Sequence, residues 1–301
     1  MFFQRRHLAA AIGGLLLSCA AHAGKLAIVI DDFGYRPSEE NKVLQMPAAI
    51  SVAVLPDAPG ARQMATKAHQ SGHEVLIHLP MAPLSKQPLE KDTLTPEMSS
   101  EEIARILRSA VNSVPYAVGL NNHMGSKMTS SLPGMVKMMQ ALNQYNFYFL
   151  DSMTIGNSQS VPAAQGTRVK VLKRRVFLDD SQDINAIRQQ FTRAVKLAQR
   201  DGYAIAIGHP HPNTVRVLQQ MLPTLPADIT LVRPSQLLNE PLHGAASPAK
   251  PQPQPRPHKP GFQPPGICKV QPQPVPATKA LDAVWESVAS GVLATTIRQL
   301  F

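Results

Sequence analysis

The residues of this chain that can do chemistry are carboxylates and imidazoles, and they recur where apolar runs stop. The run Lys25-Leu26-Ala27-Ile28-Val29-Ile30 ends in Asp31-Asp32, followed by Phe33-Gly34. Later runs end the same way. Asp57 follows 50–55, His78 follows 74–77, and Asn122 and His123 follow 118–120. Asp151 follows 147–150, Asp179 and Asp180 follow 176–178, and His209 with His211 follows 203–207. An unpaired carboxylate is too costly to serve as core filler. Imidazole and carboxylate together form the donor set of zinc and similar divalent ions. Two adjacent acids allow one to hold a cation while its neighbour acts as a base on water. The pair also repels itself, and a bound cation relieves that repulsion.

The elements that must position these groups are strands alternating with helices. The apolar runs are short and β-branched, as buried parallel strands are; further runs lie at 169–172 and 229–232. Helix-forming stretches lie between them, at 38–45, 60–70, 99–112, 132–145, 184–200 and 214–221, with a short one at 234–238. The helix at 99–112 opens on Ser99-Ser100-Glu101-Glu102, with hydroxyl caps and first-turn acids. In 184–200, Ile184, Ile187, Phe191, Val195 and Ala198 share one face. Met135, Met138 and Met139 fall at helical spacing and are expected in the core. Residues 81–98 are punctuated by proline and read as a long loop over the mouth. Such alternation predicts a parallel α/β sheet. Seven or so units, each with its polar cluster at a strand's C-terminal end, favour a barrel over an open sheet, because those ends form one rim.

The chain of 301 residues has room for one large domain with extensions, and 44% hydrophobic content supplies a sizeable core. Its formal net charge is +10, part of it in the two ends. No tight Lys/Arg stripe interleaves with aromatics, which argues against nucleic acid; attraction to an anionic envelope surface is at least as compatible with the charge. Residues 1–23 read as a signal peptide: Arg5 and Arg6, an apolar 8–20, then Ala21-His22-Ala23. The apolar part is too short for a stable anchor, so no transmembrane span is expected after cleavage. A lipoprotein-type cleavage before Cys19 is the less favoured alternative. Cleavage after Ala23 leaves Cys268 alone, expected as an unpaired thiol, with pairing to another chain the alternative. Residues 24–242 form the barrel domain and 243–276 a disordered Pro/Gln-rich linker. Residues 277–301 form a short amphipathic or poorly ordered end that could dock on an envelope protein partner or a membrane surface.

Five motifs together carry a family resemblance. They are Ile28-Val29-Ile30-Asp31-Asp32-Phe33-Gly34, His78-Leu79-Pro80-Met81, Asn121-Asn122-His123-Met124-Gly125-Ser126, Phe149-Leu150-Asp151-Ser152 and Gly208-His209-Pro210-His211-Pro212. Across roughly residues 24–240 the chain resembles the divergent polysaccharide deacetylases. The resemblance implies a deformed (β/α) barrel and hydrolysis of an N-acetyl or O-acetyl group on a glycan. It makes Asp31 the base and Asp32 a metal ligand. Ordinary deacetylases place both metal histidines on one segment, four or five residues apart. Here the residue four after His78 is Ala82, so His123 from the next strand is assigned as the third ligand. The expected ion is divalent, zinc by preference. His209 is expected to act as the acid, with Asp151 or Asp179 orienting a histidine. Asn122, His211 and Asp179 are expected beside the substrate or behind the ligands.

Blander roles are expected elsewhere. His69 and His73 should lie at the surface, Asp57 in a turn, and Asp179-Asp180-Ser181 at the cap of the following helix. Tyr35 and Arg36, just after the aspartates, are candidates for contact with substrate. The reading is a periplasmic metal-dependent carbohydrate deacetylase acting on an envelope glycan. The alternative is a catalytically weak glycan-binding or envelope-organising protein on the same barrel.

Overall fold

A computed structural model describes residues 23–241. The leader up to residue 22, Cys19, Cys268, the proline-rich stretch and the final segment lie outside the described residues. In chain order the elements are β1 (Gly24–Phe33), α1 (Pro37–Val43), β2 (Ser51–Val54), α2 (Ala61–Gln70), β3 (Val75–Met81), α3 (Ser100–Ser113), β4 (Ala117–Met124), α4 (Ser126–Ser130) and α5 (Leu132–Leu142). There follow β5 (Tyr148–Asp151), α6 (Ser160–Ala163), β6 (Val171–Lys173), β7 (Val176–Phe177), α7 (Ile184–Asp201), β8 (Tyr203–Gly208), α8 (Pro212–Met221) and β9 (Ile229–Val232). None of the described helices is long and apolar enough to cross a membrane.

All pairings are parallel, in the order β6-β5-β4-β3-β2-β1-β8-β7. On the side of β1 away from β8, β9 pairs with the first half and β2 with the second. β6 and β7 are successive parts of one extended segment. β6 pairs with β5 and β7 with β8, so residues 171–177 change partner at Arg174-Arg175. The sheet curls into the (β/α) barrel that the alternation predicts, deformed as the resemblance implies, with a seam at this switch.

Successive strand residues face opposite sides of the sheet. Leu26, Ile28 and Ile30 of β1 pack with residues of the surrounding helices, such as Met64, Ile103, Phe191 and Leu218. Ala27 and Val29 instead join Ala53, Leu76, Leu150, Ile205 and Ile207 in a second cluster that draws nothing from α1–α8. That second cluster fills the barrel's interior. Met135, Met138 and Met139 are fully buried, as their spacing predicts.

Two expectations change. His73 is buried where the chain enters β3, its ring nitrogens 2.8 and 3.2 Å from the Ile50 and Leu44 carbonyls. Asp183, not Asp179-Asp180-Ser181, caps α7, accepting the Asn185 and Ala186 N–H groups at 3.0 and 2.8 Å. The acids at 179 and 180 end before the first helical turn, so they cannot reach its free N–H groups. His69 is exposed, as expected, and stacks on Tyr116.

Gly119 in β4 lets the Tyr148 ring lie flush on the backbone; a Cβ there would stand 2.7 Å from a ring carbon. Gly119→Ala is expected to lower stability by ~1–3 kcal/mol through overpacking, read as a reduced midpoint in thermal denaturation with the far-UV spectrum retained.

Candidate metal centre and catalytic rim

The alternation that sorts the apolar core also sorts the polar layer above it. Asp31 continues the inward series Ala27–Val29, His78 continues Leu76, and His209 continues Ile205–Ile207. Asn121 and His123 follow Gly119 in β4, and Arg174 follows Leu172. Asp31, His78, His123, Arg174, Phe177 and His209 accordingly line one cavity of about 220 Å³ at the strands' C-terminal ends. β3 and β4 run on to Met81 and Met124, with His78 opposite Asn121 and Pro80 opposite His123. The two histidines therefore sit inside strands rather than beyond them, which fixes them more firmly.

Asp32 has outward parity and reaches the rim by a break in the backbone. Its φ is +59°, and the β1–β2 register is irregular between Ile30 and Phe33. The turn that follows is held by Glu40, which is fully buried. One oxygen, Oε1, accepts the N–H groups of Gly34, Tyr35 and Arg36 at 2.9, 3.0 and 2.6 Å. Met124 and Met153, at two other strand ends of this rim, also have left-handed φ, 51° and 49°. Each such residue costs ~1–2 kcal/mol, and strain of this kind gathers at sites.

Three donor atoms converge on one point. Asp32 Oδ1 lies 3.3 Å from His78 Nε2 and 3.1 Å from His123 Nδ1, and the two nitrogens are 3.1 Å apart. Donor atoms ~2.0–2.1 Å from one tetrahedral ion stand roughly 3.3 Å from each other, so the triangle has the edge lengths of a ligand face. Asp32 Oδ1 is buried without a hydrogen-bond partner, since neither nearby imidazole presents an aligned N–H. His78 Nδ1 donates to Asn121 Oδ1 at 2.8 Å, which leaves Nε2 as the nitrogen that would face an ion. Asn121 in turn donates to Asp31 Oδ1 at 2.8 Å. Glu90, from the proline-rich loop, approaches the other face of His123, 3.9 Å from Nε2. The donors thus fit a divalent ion at Asp32, His78 and His123.

A second gathering, Asp179, His209 and His211, suits proton chemistry better than a cation. Asp179 Oδ1 takes the His209 Nδ1–H at 3.0 Å, and Oδ2 accepts the His209 backbone N–H and the Thr214 hydroxyl, each at 2.7 Å. Arg36 Nη1 lies 2.5 Å from His211 Nδ1, placing a positive charge where an ion would have to bind. His209 Nε2 points back to Asp32 Oδ2, 3.9 Å away.

The electrostatics separate these groups. Burial raises the Asp31 carboxyl above its ordinary range, although His78 and His209 partly oppose it. Burial acts the same way on Asp32, but the His123 and His78 nitrogens outweigh it and hold that carboxyl well below its usual range. Burial opposes a charge on His209, yet the Asp179 bond and charge prevail and push it up to about 9. His78 is likewise raised, Asp31 and Asp32 outweighing burial. Burial and Arg36 together lower His211.

Two expected residues are placed differently. Asp151 has outward parity and is spent on the loop after β5: it accepts Met153 N–H at 2.8 Å and the Ser158 and Ser160 hydroxyls at 2.5 and 2.6 Å. Asn122 lines the cavity wall but braces the rim, donating to Met124 O at 2.6 Å and accepting Ser152 N–H at 2.9 Å. Asn121, Arg174, Phe177 and Glu40 carry weight that their residue types alone do not announce. Arg174 donates Nε and Nη2 to the Ser152 and Met153 carbonyls, and its guanidinium lies 5.1 Å from the Phe177 ring centroid. The signal for Asn121 and Arg174 is the period of two counted from Gly119 and Leu172, whereas Phe177 faces inward as the ladder partner of Ile207.

A sequence profile described as divergent polysaccharide deacetylase matches residues 28–238. YibQ, an uncharacterized protein of Escherichia coli (strain K12), is 64% identical over 295 residues, covering 97% of this chain and 92% of YibQ. An uncharacterized protein of Haemophilus influenzae is 45% identical over 208 residues, covering 69% of this chain and 74% of that protein. A crystal structure of an uncharacterized Agrobacterium tumefaciens C58 protein shares the fold, with a TM-score of 0.67 at 18% identity, over 71% of this chain and 89% of that one.

Asn121→Ala should leave His78 in place but free its ring to turn, lowering affinity for zinc by ~10–100-fold in competition with a chelating dye. Because His78 holds its proton above the ordinary imidazole range, zinc must displace that proton. Affinity should therefore rise with pH through and above the ordinary imidazole range, with proton release measurable by calorimetry in buffers of different ionisation enthalpy.

Proposed function

The chain belongs to the divergent polysaccharide deacetylase family, and on that premise we propose that it is a divalent-metal-dependent hydrolase removing acetyl groups from an envelope carbohydrate. The observation that supports this most is the triangle of Asp32 Oδ1, His78 Nε2 and His123 Nδ1, set between Asp31 and the Asp179–His209 pair. Lewis-acid polarisation of the acetyl carbonyl is what a divalent ion, zinc by the donor set, would supply there. Asp31, made more basic by burial, takes a proton from the water whose oxygen bonds to the acetyl carbon. The bond from that carbon to the sugar nitrogen or oxygen then breaks. His209 gives its Nε2 proton to the departing atom, and acetate leaves. With a pKa near 9, His209 carries that proton at neutral pH. Asp179 keeps the Nδ1–H directed away, so Nε2 faces the reaction. The cavity of about 220 Å³ suits a small acyl group entering from a chain that stays outside. Export through residues 1–23 to the periplasm would bring the protein to its glycan, with anchoring at Cys19 the less favoured route.

The test is metal analysis of the purified protein together with acetate release from acetylated glycan oligomers. Stoichiometric zinc and released acetate are expected. Asp31→Asn should retain zinc and lose ~10²–10⁴-fold in kcat. Wild-type protein without metal or acetate release, but still binding the glycan, would replace this function with that of a glycan-binding protein on the same barrel. His78→Ala and His123→Ala variants that both keep stoichiometric zinc would move the metal elsewhere.

A further inference from the structure

The barrel's outer wall carries a second concave feature, away from the mouth. It is a groove of about 800 Å³ along α7, lined by Arg175, Arg188, Arg193, Lys196 and Arg200, with Gln189, Thr192 and Leu197 between them. Positions 188, 192, 196 and 200 lie on one i, i+4 ridge, so three cations stand in line over ~18 Å of helix. Arg175 reaches the same groove from the seam between β6 and β7.

The charge is segregated here. Residues 168–200 hold nine Lys/Arg against three Asp, whereas the rest of the described chain holds 13 Lys/Arg against 15 Asp/Glu. Asp201 neutralises part of the lower end, accepting from Arg175 at 2.7 Å and Arg200 at 2.6 Å. Arg188 and Arg193 bond only to the neutral Gln220 and Gln190. Among the described residues, no carboxylate lies within ion-pair distance of Arg188, Arg193 or Lys196. Like charges one helical turn apart weaken a helix, so helix stability does not account for the ridge.

We infer that this groove binds an anionic polysaccharide strand through its carboxylate or phosphate groups, at a site separate from the metal centre. Four of the five cations are arginines, whose planar forks pair with two oxyanion oxygens at once. Gln189 and Thr192 offer neutral hydrogen bonds of the kind hydroxyls use. No aromatic side chain lines the groove, so it lacks the stacking platform of a single-stranded nucleic-acid site. The Arg188 end of α7 is the rim end, since the helix follows directly on β7, and a strand lying in the groove leads toward the mouth. The inference rests on the carbohydrate reading only in naming the polymer a polysaccharide.

Binding can be measured without turnover. Full-length protein is titrated at low salt with polygalacturonate, with neutral dextran and with phosphatidylglycerol vesicles. Polygalacturonate should bind and dextran should not. The Arg188→Gln/Arg193→Gln/Lys196→Gln variant should bind about tenfold or more weakly and with a shallower salt dependence, at an unchanged melting temperature. Asp32→Asn should bind as wild type does. Equal binding by the triple variant, or no binding by wild type, overturns the inference. Vesicle binding that the triple variant loses, without polygalacturonate binding, overturns it in favour of a membrane surface. Failure of acetate release with polygalacturonate binding intact would sink the proposed activity and leave the groove standing.

Discussion

One carboxylate oxygen holds the rim in shape. Oε1 of Glu40 gathers the N–H groups of three successive residues, Gly34, Tyr35 and Arg36, into one buried contact. A buried carboxylate is tolerable only where donors meet it, and here the backbone itself supplies them. The chain therefore leaves β1 through a left-handed residue, and Asp32 swings from the outer face to the inner one. Without that turn the inward series would deliver Asp31 alone, and His78 and His123 would face no second carboxylate.

The rim then divides its labour by environment rather than by residue type. Asp31 and Asp32 are sequence neighbours, yet burial raises one while imidazole nitrogens lower the other. Groups pushed apart in this way are suited to different roles. Asn121 joins them, since it takes the proton of His78 with its oxygen and gives its own to Asp31. His78 and Asp31 are thus held by two ends of one amide, each setting the other's orientation.

Much of this was legible beforehand. Strand–helix alternation gave the barrel, and polar residues at the strand ends gave the rim. Asp31, Asp32, His78, His123 and His209 all arrive where their positions implied. What was missed follows from ending each strand where its hydrophobicity ended. The β3–β4 ladder continues through His78 and His123 into the polar layer, so parity still applies there. Counting by two from Leu150 passes over Asp151 and reaches Ser152; counting from Gly119 passes over Asn122 and reaches Asn121. Glu40 was hidden differently, because it reads as an ordinary first-turn acid of a helix, and nothing local reveals three N–H groups bending back to it. His73 was misplaced for a similar reason: its partners, Leu44 and Ile50, are distant in sequence.

The segment 171–177 has a consequence for how this protein can change. It crosses the seam through Arg174 and Arg175, which belong to neither strand, with Arg174 turned into the cavity and Arg175 turned out to the groove. Its inward residues are Leu172 and Arg174 before the seam and Phe177 after it, so the alternation shifts by one where the partner changes, and losing or gaining one residue in either strand would exchange the two sides along the rest of that strand. Substitutions can adjust the interior and the outer wall separately. A change in length cannot, so this stretch should vary in residue identity across descendants of the gene while its residue count stays fixed.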